Sequence, residues 1–116
     1  MTLEEASEKF RIDIEKLKIY EDNALLEHSR YVNGIPDYTE NELRKVGIIH
    51  SLHKAGLEIP MIKQYLLLIN DNAERKEEKI RILLKQRCRL LEEIHDKQQS
   101  LDELDYMIDD IRKEAV

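Results

Sequence analysis

The sequence has few of the residues that most protein classes depend on. Its 116 residues include no tryptophan, one phenylalanine, one cysteine, two prolines and three glycines. So few aromatic and turn-forming residues make an all-β domain a poor fit and favour a largely helical chain. A single cysteine, Cys88, allows neither an intrachain disulfide nor a cysteine-rich zinc site. No apolar run approaches the ~20 residues that span a bilayer, and the first residues are polar, so we expect a cytoplasmic protein without signal peptide or membrane segment.

Combinations of residues that carry out catalysis are also missing from the sequence. It contains no glycine-rich phosphate loop and no grouping of a nucleophile with a base. The adjacent acids at residues 77–78 and 109–110 would not face each other on a helix. His50 and His53 share a helical face but have no third ligand at a suggestive spacing, so we interpret them as surface or core histidines. We therefore expect no enzyme, no catalytic residue, no metal site and no cofactor.

The charge balance restricts the partners of this chain. Its net charge is -6, and the acidic excess is present in both parts: residues 1–72 carry nine Lys and Arg against thirteen Asp and Glu, and residues 73–116 carry ten against twelve. Proteins that bind nucleic acid usually show a basic excess or a basic face. Any contact with DNA must therefore come from a local arrangement of cations.

The last third of the chain, residues 74–111, contains neither proline nor glycine and predicts one long helix. At 1.5 Å per residue such a helix is roughly 57 Å long, more than a domain of about 70 residues can cover. Positions spaced alternately by three and four form the a/d seam of a coiled coil, so we predict that this seam is a homodimer interface. The seam residues are Ile80, Leu83, Arg87, Leu90, Ile94, Lys97, Leu101, Leu104, Ile108 and Ile111.

The two charged residues of the seam predict the direction of pairing. In a parallel coil in register, Arg87 and Lys97 would each face their own copy, which is unfavourable even if the side chains turn outward. Antiparallel pairing avoids both contacts. Placing Ile94 opposite Lys97 also places Leu90 opposite Leu101 and keeps all ten seam positions in use. We therefore predict an antiparallel coiled coil.

The preceding residues predict a small helical headpiece. Thr2 and Thr39 each have a glutamate three residues later, the capping-box spacing that begins a helix. The pair Asn33-Gly34 predicts a tight hairpin turn, and Gly56 predicts the end of a helix. The order is thus two short helices, a hairpin and two further helices, which is the pattern of a winged helix-turn-helix.

The predicted fold class is mainly α, with a small β wing. Residues 1–72 form the winged helix-turn-helix headpiece with its linking helices, and residues 73–116 form the long C-terminal dimerisation helix.

This order of elements resembles the MerR-type family of bacterial winged-helix transcriptional regulators, and the likeness extends to short motifs. The family sequence Leu-Arg-Tyr-Tyr-Glu corresponds to Leu-Lys-Ile-Tyr-Glu at residues 17–21. The wing sequence Asn-Gly-Tyr-Arg-x-Tyr, which follows an arginine, corresponds to residues 33–38 after Arg30. Leu52 and Gly56 match the Leu-x-x-x-Gly of the next helix. The resemblance implies a homodimer that binds a pseudo-palindromic operator in double-stranded DNA and alters promoter geometry for RNA polymerase.

The resemblance also implies which side chains approach DNA, and the chain departs from the family pattern on that side. Glu15 stands where the family often has arginine, and Pro36 replaces the wing arginine, so two cations are lost. The residues left to contact the duplex are Arg11, Lys16, Lys18, Tyr20, Arg30 and Lys54.

Two alternatives remain. The first is a coiled-coil protein-interaction module with weakened or lost DNA binding, which Glu15 and Pro36 support. The second is a thiol or aldehyde sensor using Cys88, because the end of the coil looks like that of thiol- and aldehyde-responsive family members. In those members a cysteine often follows the wing, at about the position of Ser51 here.

Overall fold

A computed structural model describes residues 1–27, 30–70 and 75–114. The elements in these ranges are α1 (Leu3–Phe10), α2 (Ile14–Asp22), β1 (Arg30–Val32), β2 (Ile35–Asp37), α3 (Glu40–Lys54), α4 (Ile59–Asn70) and α5 (Lys76–Glu114). The mainly α fold, the two-stranded wing and the long C-terminal helix are thereby confirmed. The chain divides into two compact units, Met1–Arg75 and Lys76–Val116. The predicted boundary at residue 72 lies within residues 71–74, outside the described residues.

Threonine side chains begin α1 and α3 as the capping-box spacing predicts. The Glu5 backbone N–H donates to Thr2 Oγ1 at 3.1 Å, and the Glu42 N–H donates to Thr39 Oγ1 at 3.3 Å. Each threonine satisfies an N–H that has no partner within the helix. At α2 the cap is different, since the Asp13 side chain makes no capping bond there.

Helices α1, α2 and α3 end in the same hydrogen-bonded motif, in which an N–H donates back to a carbonyl five residues earlier. These bonds join Ile12 to Ser7 at 3.2 Å, Leu25 to Tyr20 at 2.8 Å and Leu57 to Leu52 at 3.0 Å. The residue before each donor has a left-handed backbone, at Arg11 (φ 55°), Ala24 (φ 61°) and Gly56 (φ 92°). The donors are buried apolar residues. Each helix thus ends by turning an apolar side chain into the core, and only α3 has glycine at the strained position.

The core of the first unit lies among α1 to α4. Leu17, Tyr20, Val46, Ile49 and Ile62 are its large, fully buried side chains, drawn from α2, α3 and α4. On α3 the buried positions recur every three residues from Leu43 to Leu52 and form one apolar stripe along the helix.

The wing is the predicted hairpin. Strands β1 and β2 are antiparallel, with Val32 opposite Ile35 and Arg30 opposite Asp37. Asn33 (φ 53°) and Gly34 (φ 77°) both adopt the left-handed backbone that a two-residue turn of this kind requires. Pro36 is tolerated in β2 because the two-stranded sheet has only edge strands.

Helix α5 has 39 residues and, at 1.5 Å per residue, is about 58 Å long. The apolar members of the predicted seam are exposed along its whole length, from Ile80 (52%) to Ile111 (64%). The predicted start at Glu74 lies outside the described residues, and the described helix begins at Lys76. No helix within the described ranges is both long and apolar enough to cross a membrane.

The Ala24→Gly substitution should stabilise the fold by about 0.5–1 kcal/mol. Glycine adopts the left-handed backbone without the steric cost that alanine bears there, and its greater unfolded-state entropy offsets part of the gain. Urea unfolding at fixed protein concentration measures the change. Asn33→Gly is the matched control, and its gain in stability should be smaller, because asparagine tolerates this backbone. A loss of stability in Ala24→Gly would contradict the account of the helix end.

Candidate nucleic-acid interface

The outer surface of α2 carries cations and anions side by side. Lys16 and Lys18 are exposed, and so is Glu15 in the first turn of the helix. Ile19, at the position of the first tyrosine in the family motif, is 44% exposed. Both lysines thus lie on the exposed surface of α2, and the prediction that they contact DNA stays a prediction. Glu15 shares that surface and lowers its positive charge.

Tyr20 lies on the opposite, inward side of α2, and the prediction that it contacts phosphate does not fit its position. Its side chain is 0% exposed. The phenolic oxygen lies 3.2 Å from Nδ1 of His53 and 3.4 Å from Nδ1 of His50, both on α3. Burial raises the pKa of the Tyr20 phenol, which therefore keeps its proton. Tyr20 fastens the recognition helix to α3 and does not reach the protein surface.

One phenol between two imidazoles requires different states of their Nδ1 atoms. The hydroxyl can donate its hydrogen to one Nδ1 atom and accept a hydrogen from the other, so one Nδ1 carries a hydrogen and the other does not. The edge of the Tyr20 ring also meets His53, with centroids 5.5 Å apart and an interplanar angle of 84°. These half-buried histidines are thus part of the packing between α2 and α3, which agrees with their interpretation from the sequence.

Three basic groups come together where α2 and α3 meet. Lys16 lies one helical turn before Tyr20, and Lys54 lies one turn after His50, so each lysine shares a helix face with a member of the tyrosine–histidine contact. Burial lowers the pKa of His50, and the charges of Lys16, Lys54 and then His53 lower it further, while Asp13 has a weaker opposite effect. Lys16 and Lys54, predicted separately as DNA contacts, therefore form one local basic site around His50.

The sequence did not indicate that His50 lies near these lysines. Its spacing of four residues from Lys54 was visible in the sequence, but the effect of the Lys16 charge on the same histidine depends on tertiary structure.

On the wing, Arg30 is paired with a carboxylate. Its Nε donates to Asp37 Oδ2 at 2.8 Å. The Met1 α-amino group contacts Oδ1 of the same carboxylate at 2.6 Å. Hydrogen bonds from that amino group and then from Arg30 lower the pKa of Asp37. The Arg30 side chain remains 72% exposed, so it can still meet a phosphate, with its charge partly offset by Asp37.

Arg11 occupies the turn between α1 and α2 and is exposed. Its left-handed backbone belongs to the motif that ends α1 and is costly for a residue with a side chain. The turn is held by the Ser7 hydroxyl, which donates to the Ile12 carbonyl at 2.6 Å. Arg11 is thus presented at the entrance to the recognition helix.

Cys88 lies on α5 and is exposed. Within the described ranges, no group of three or more His, Cys, Asp or Glu side chains could hold a metal ion.

Comparison with known proteins gives one consistent family. A profile described as MerR HTH family regulatory protein matches residues 1–68. A solved structure from Listeria monocytogenes, assigned to the MerR family of transcriptional regulators, is 30% identical, with 94% of this chain and 83% of that chain covered and a TM-score of 0.75. No match was found among curated protein sequences.

Two further solved structures share the fold at lower identity. HiNmlR, a MerR family regulator lacking the sensor domain and bound to promoter DNA, is 23% identical, covers 91% of this chain and 81% of its own, and has a TM-score of 0.74. A MerR family regulator from Bacillus thuringiensis is 19% identical and has a TM-score of 0.76, and the match covers 95% of this chain and 97% of that chain.

The Tyr20→Phe substitution tests the position of Tyr20. We expect a loss of about 1–2 kcal/mol in the free energy of unfolding, because two half-buried imidazoles lose a hydrogen-bond partner. The salt dependence of DNA binding should not change, since no phosphate contact is removed. Urea unfolding and fluorescence anisotropy measure the two effects, with Tyr106→Phe on the exposed surface of α5 as the control. Unchanged stability together with a shallower salt dependence would restore Tyr20 as a phosphate contact.

Proposed function

The chain belongs to the MerR HTH family of regulatory proteins, and from this premise we propose that it binds a pseudo-palindromic promoter operator as a homodimer. As a transcriptional regulator of this family it has the winged helix-turn-helix from which DNA recognition is expected. HiNmlR, which shares the fold, is bound to promoter DNA. By family analogy the bound dimer alters the geometry of the promoter for RNA polymerase.

The observation that carries the proposal is the local grouping of cations on an acidic protein. Lys16 and Lys54 flank His50, Lys18 lies on the same recognition helix, and Arg11 precedes that helix. Lysine and arginine contacts to phosphate position a protein on the duplex and supply most non-specific affinity. The net charge of -6 therefore does not forbid DNA binding, because the cations are concentrated where α2 would meet the groove.

The exposed seam of α5 supports the homodimer. Leu90 is 37% exposed and Leu101 51%, and the other apolar seam positions are comparably exposed. An exposed apolar stripe of this length marks a protein–protein interface, and a second copy offers a seam of the same spacing. Antiparallel pairing with Ile94 opposite Lys97 would bury the apolar positions and keep Arg87 away from its own copy. Such a dimer is two-fold symmetric, which matches an operator with two half-sites.

A protein-interaction module remains the second candidate, and two features of the DNA-facing side favour it. Glu15 is exposed in the first turn of α2, where it repels phosphate unless it accepts a hydrogen bond from cytosine. Asp37 also offsets the charge of Arg30 on the wing. Bending or untwisting a promoter costs energy that contacts must repay, so fewer free cations favour weaker binding.

A thiol or aldehyde sensor is the third candidate. Cys88 is exposed and therefore accessible to reagents. Comparing DNA affinity of the native chain and Cys88→Ser after treatment with oxidant or aldehyde tests this role, and an unchanged response removes it.

Binding to DNA from upstream of its own gene, measured across a salt series, tests the proposed function. We expect specific binding at low salt, with log K falling by about 0.9 per log unit of salt for each phosphate contact. Lys18→Ala should weaken binding and reduce that slope by about 0.9 for each headpiece, because one cation is removed. Lys113→Ala is the control, since Lys113 pairs with Asp109 near the end of α5. No specific binding at low salt would leave the interaction module.

A further inference from the structure

We propose that His50 is a DNA-phosphate contact that takes up a proton when the duplex binds. This inference rests on the proposed function, because it deepens the description of the same surface. His50 carries no charge in the free protein at neutral pH and becomes a cation in the complex.

The first step is the orientation of the imidazole. Nδ1 of His50 lies 3.4 Å from the Tyr20 hydroxyl, which holds one edge of the ring against α2. Nε2 lies on the other side of the ring from this contact. The side chain is half-buried, so the ring is held by packing without being sealed from solvent. Histidine can therefore keep its contact to Tyr20 through Nδ1 and offer Nε2–H to a phosphate oxygen.

The second step is the charge around the ring. Lys16 and Tyr20 face it from α2, Asp13 faces it from the cap of that helix, and His53 and Lys54 are its neighbours on α3. Glu58, before α4, lines a cavity with His53 and not with His50. Two lysines against one aspartate oppose a third positive charge, and burial has the same effect. His50 is therefore neutral in the free protein near pH 7.

The third step is the change that DNA brings. A phosphate placed between Lys16 and Lys54 offsets the two charges that keep His50 neutral and provides an acceptor for Nε2–H. Protonation then becomes favourable in the complex. Because the complex holds a proton that the free protein lacks, lowering the pH strengthens binding, by at most about tenfold per pH unit for each proton. A homodimer has two such histidines.

Tyr20 accommodates this change. A protonated imidazole donates from both nitrogens, and the Tyr20 oxygen can accept from Nδ1 of His50 while His53 accepts the phenolic hydrogen. The contact between α2 and α3 is thus kept when His50 becomes a cation, and the tautomer in which Tyr20 donates to His53 is selected.

The experiment measures the affinity of the full chain for a fluorescein-labelled DNA duplex of mixed sequence at low salt, from about pH 7.5 to about pH 6, where histidine titrates. Phosphate contacts do not depend on sequence, so this probe suffices. We expect a several-fold gain in affinity as the pH falls. The salt slope should steepen by about 0.9 for each added cation.

Three variants separate the cause of that gain. His50→Gln should flatten the pH profile and abolish the steepening of the salt slope. His50→Lys is always charged, so it should give a flat pH profile with tighter binding than His50→Gln. His95→Gln on α5 should behave like the native chain. Circular dichroism at each pH identifies a variant that fails to fold, and the other His50 variant then decides. A pH-dependent gain that survives in either folded His50 variant overturns the inference, and so does a flat native profile. Absence of duplex binding by the native chain at every pH overturns the proposed function itself.

Discussion

The structure depends on an apolar seam that the long helix leaves exposed. From Ile80 to Ile111 the apolar seam residues of α5 are between about one third and two thirds exposed, although α5 is the longest element of the fold. Burying such residues contributes about 25 cal/mol for each Å² removed from water, so a second helix along the seam contributes a large stabilisation. In the dimer that we propose, a second copy would also fix the spacing of two headpieces. The operator symmetry that we propose follows from this one interface.

The headpiece shows how strongly local chemistry determines its helices. Three helices end in the same motif, and each motif delivers a buried apolar residue to the core. Only Gly56 suits the left-handed backbone of that motif, whereas Ala24 and Arg11 bear a steric cost. At Arg11 the cost falls in the turn of the helix-turn-helix, where we propose that this cation approaches DNA. Glycine at the left-handed position thus favours stability, whereas arginine at that position supplies a cation for the proposed DNA contact.

The sequence predicted the features that short-range chemistry decides. Thr2 and Thr39 cap helices, and the Asn33-Gly34 turn sets the wing register, from which the pairing of Arg30 with Asp37 could have been deduced. The inward position of Tyr20 could not be deduced from the motif Leu-Lys-Ile-Tyr-Glu alone, since Lys18, Ile19 and Tyr20 point in different directions on one turn. The basic site around His50 could not be predicted from the sequence either, because its two lysines come from separate helices that only tertiary packing brings together.

Disulfide trapping across the seam tests the central claim most directly, in a chain whose own thiol has been removed by Cys88→Ser. With Ile94 opposite Lys97, a chain carrying both Leu90→Cys and Leu101→Cys should form a covalent dimer on mild oxidation. Leu90→Cys alone should not, because antiparallel pairing places the two copies of residue 90 about 16 Å apart along the coil. A covalent dimer from Leu90→Cys alone, in an amount that the double substitution does not increase, would show parallel pairing and contradict the account.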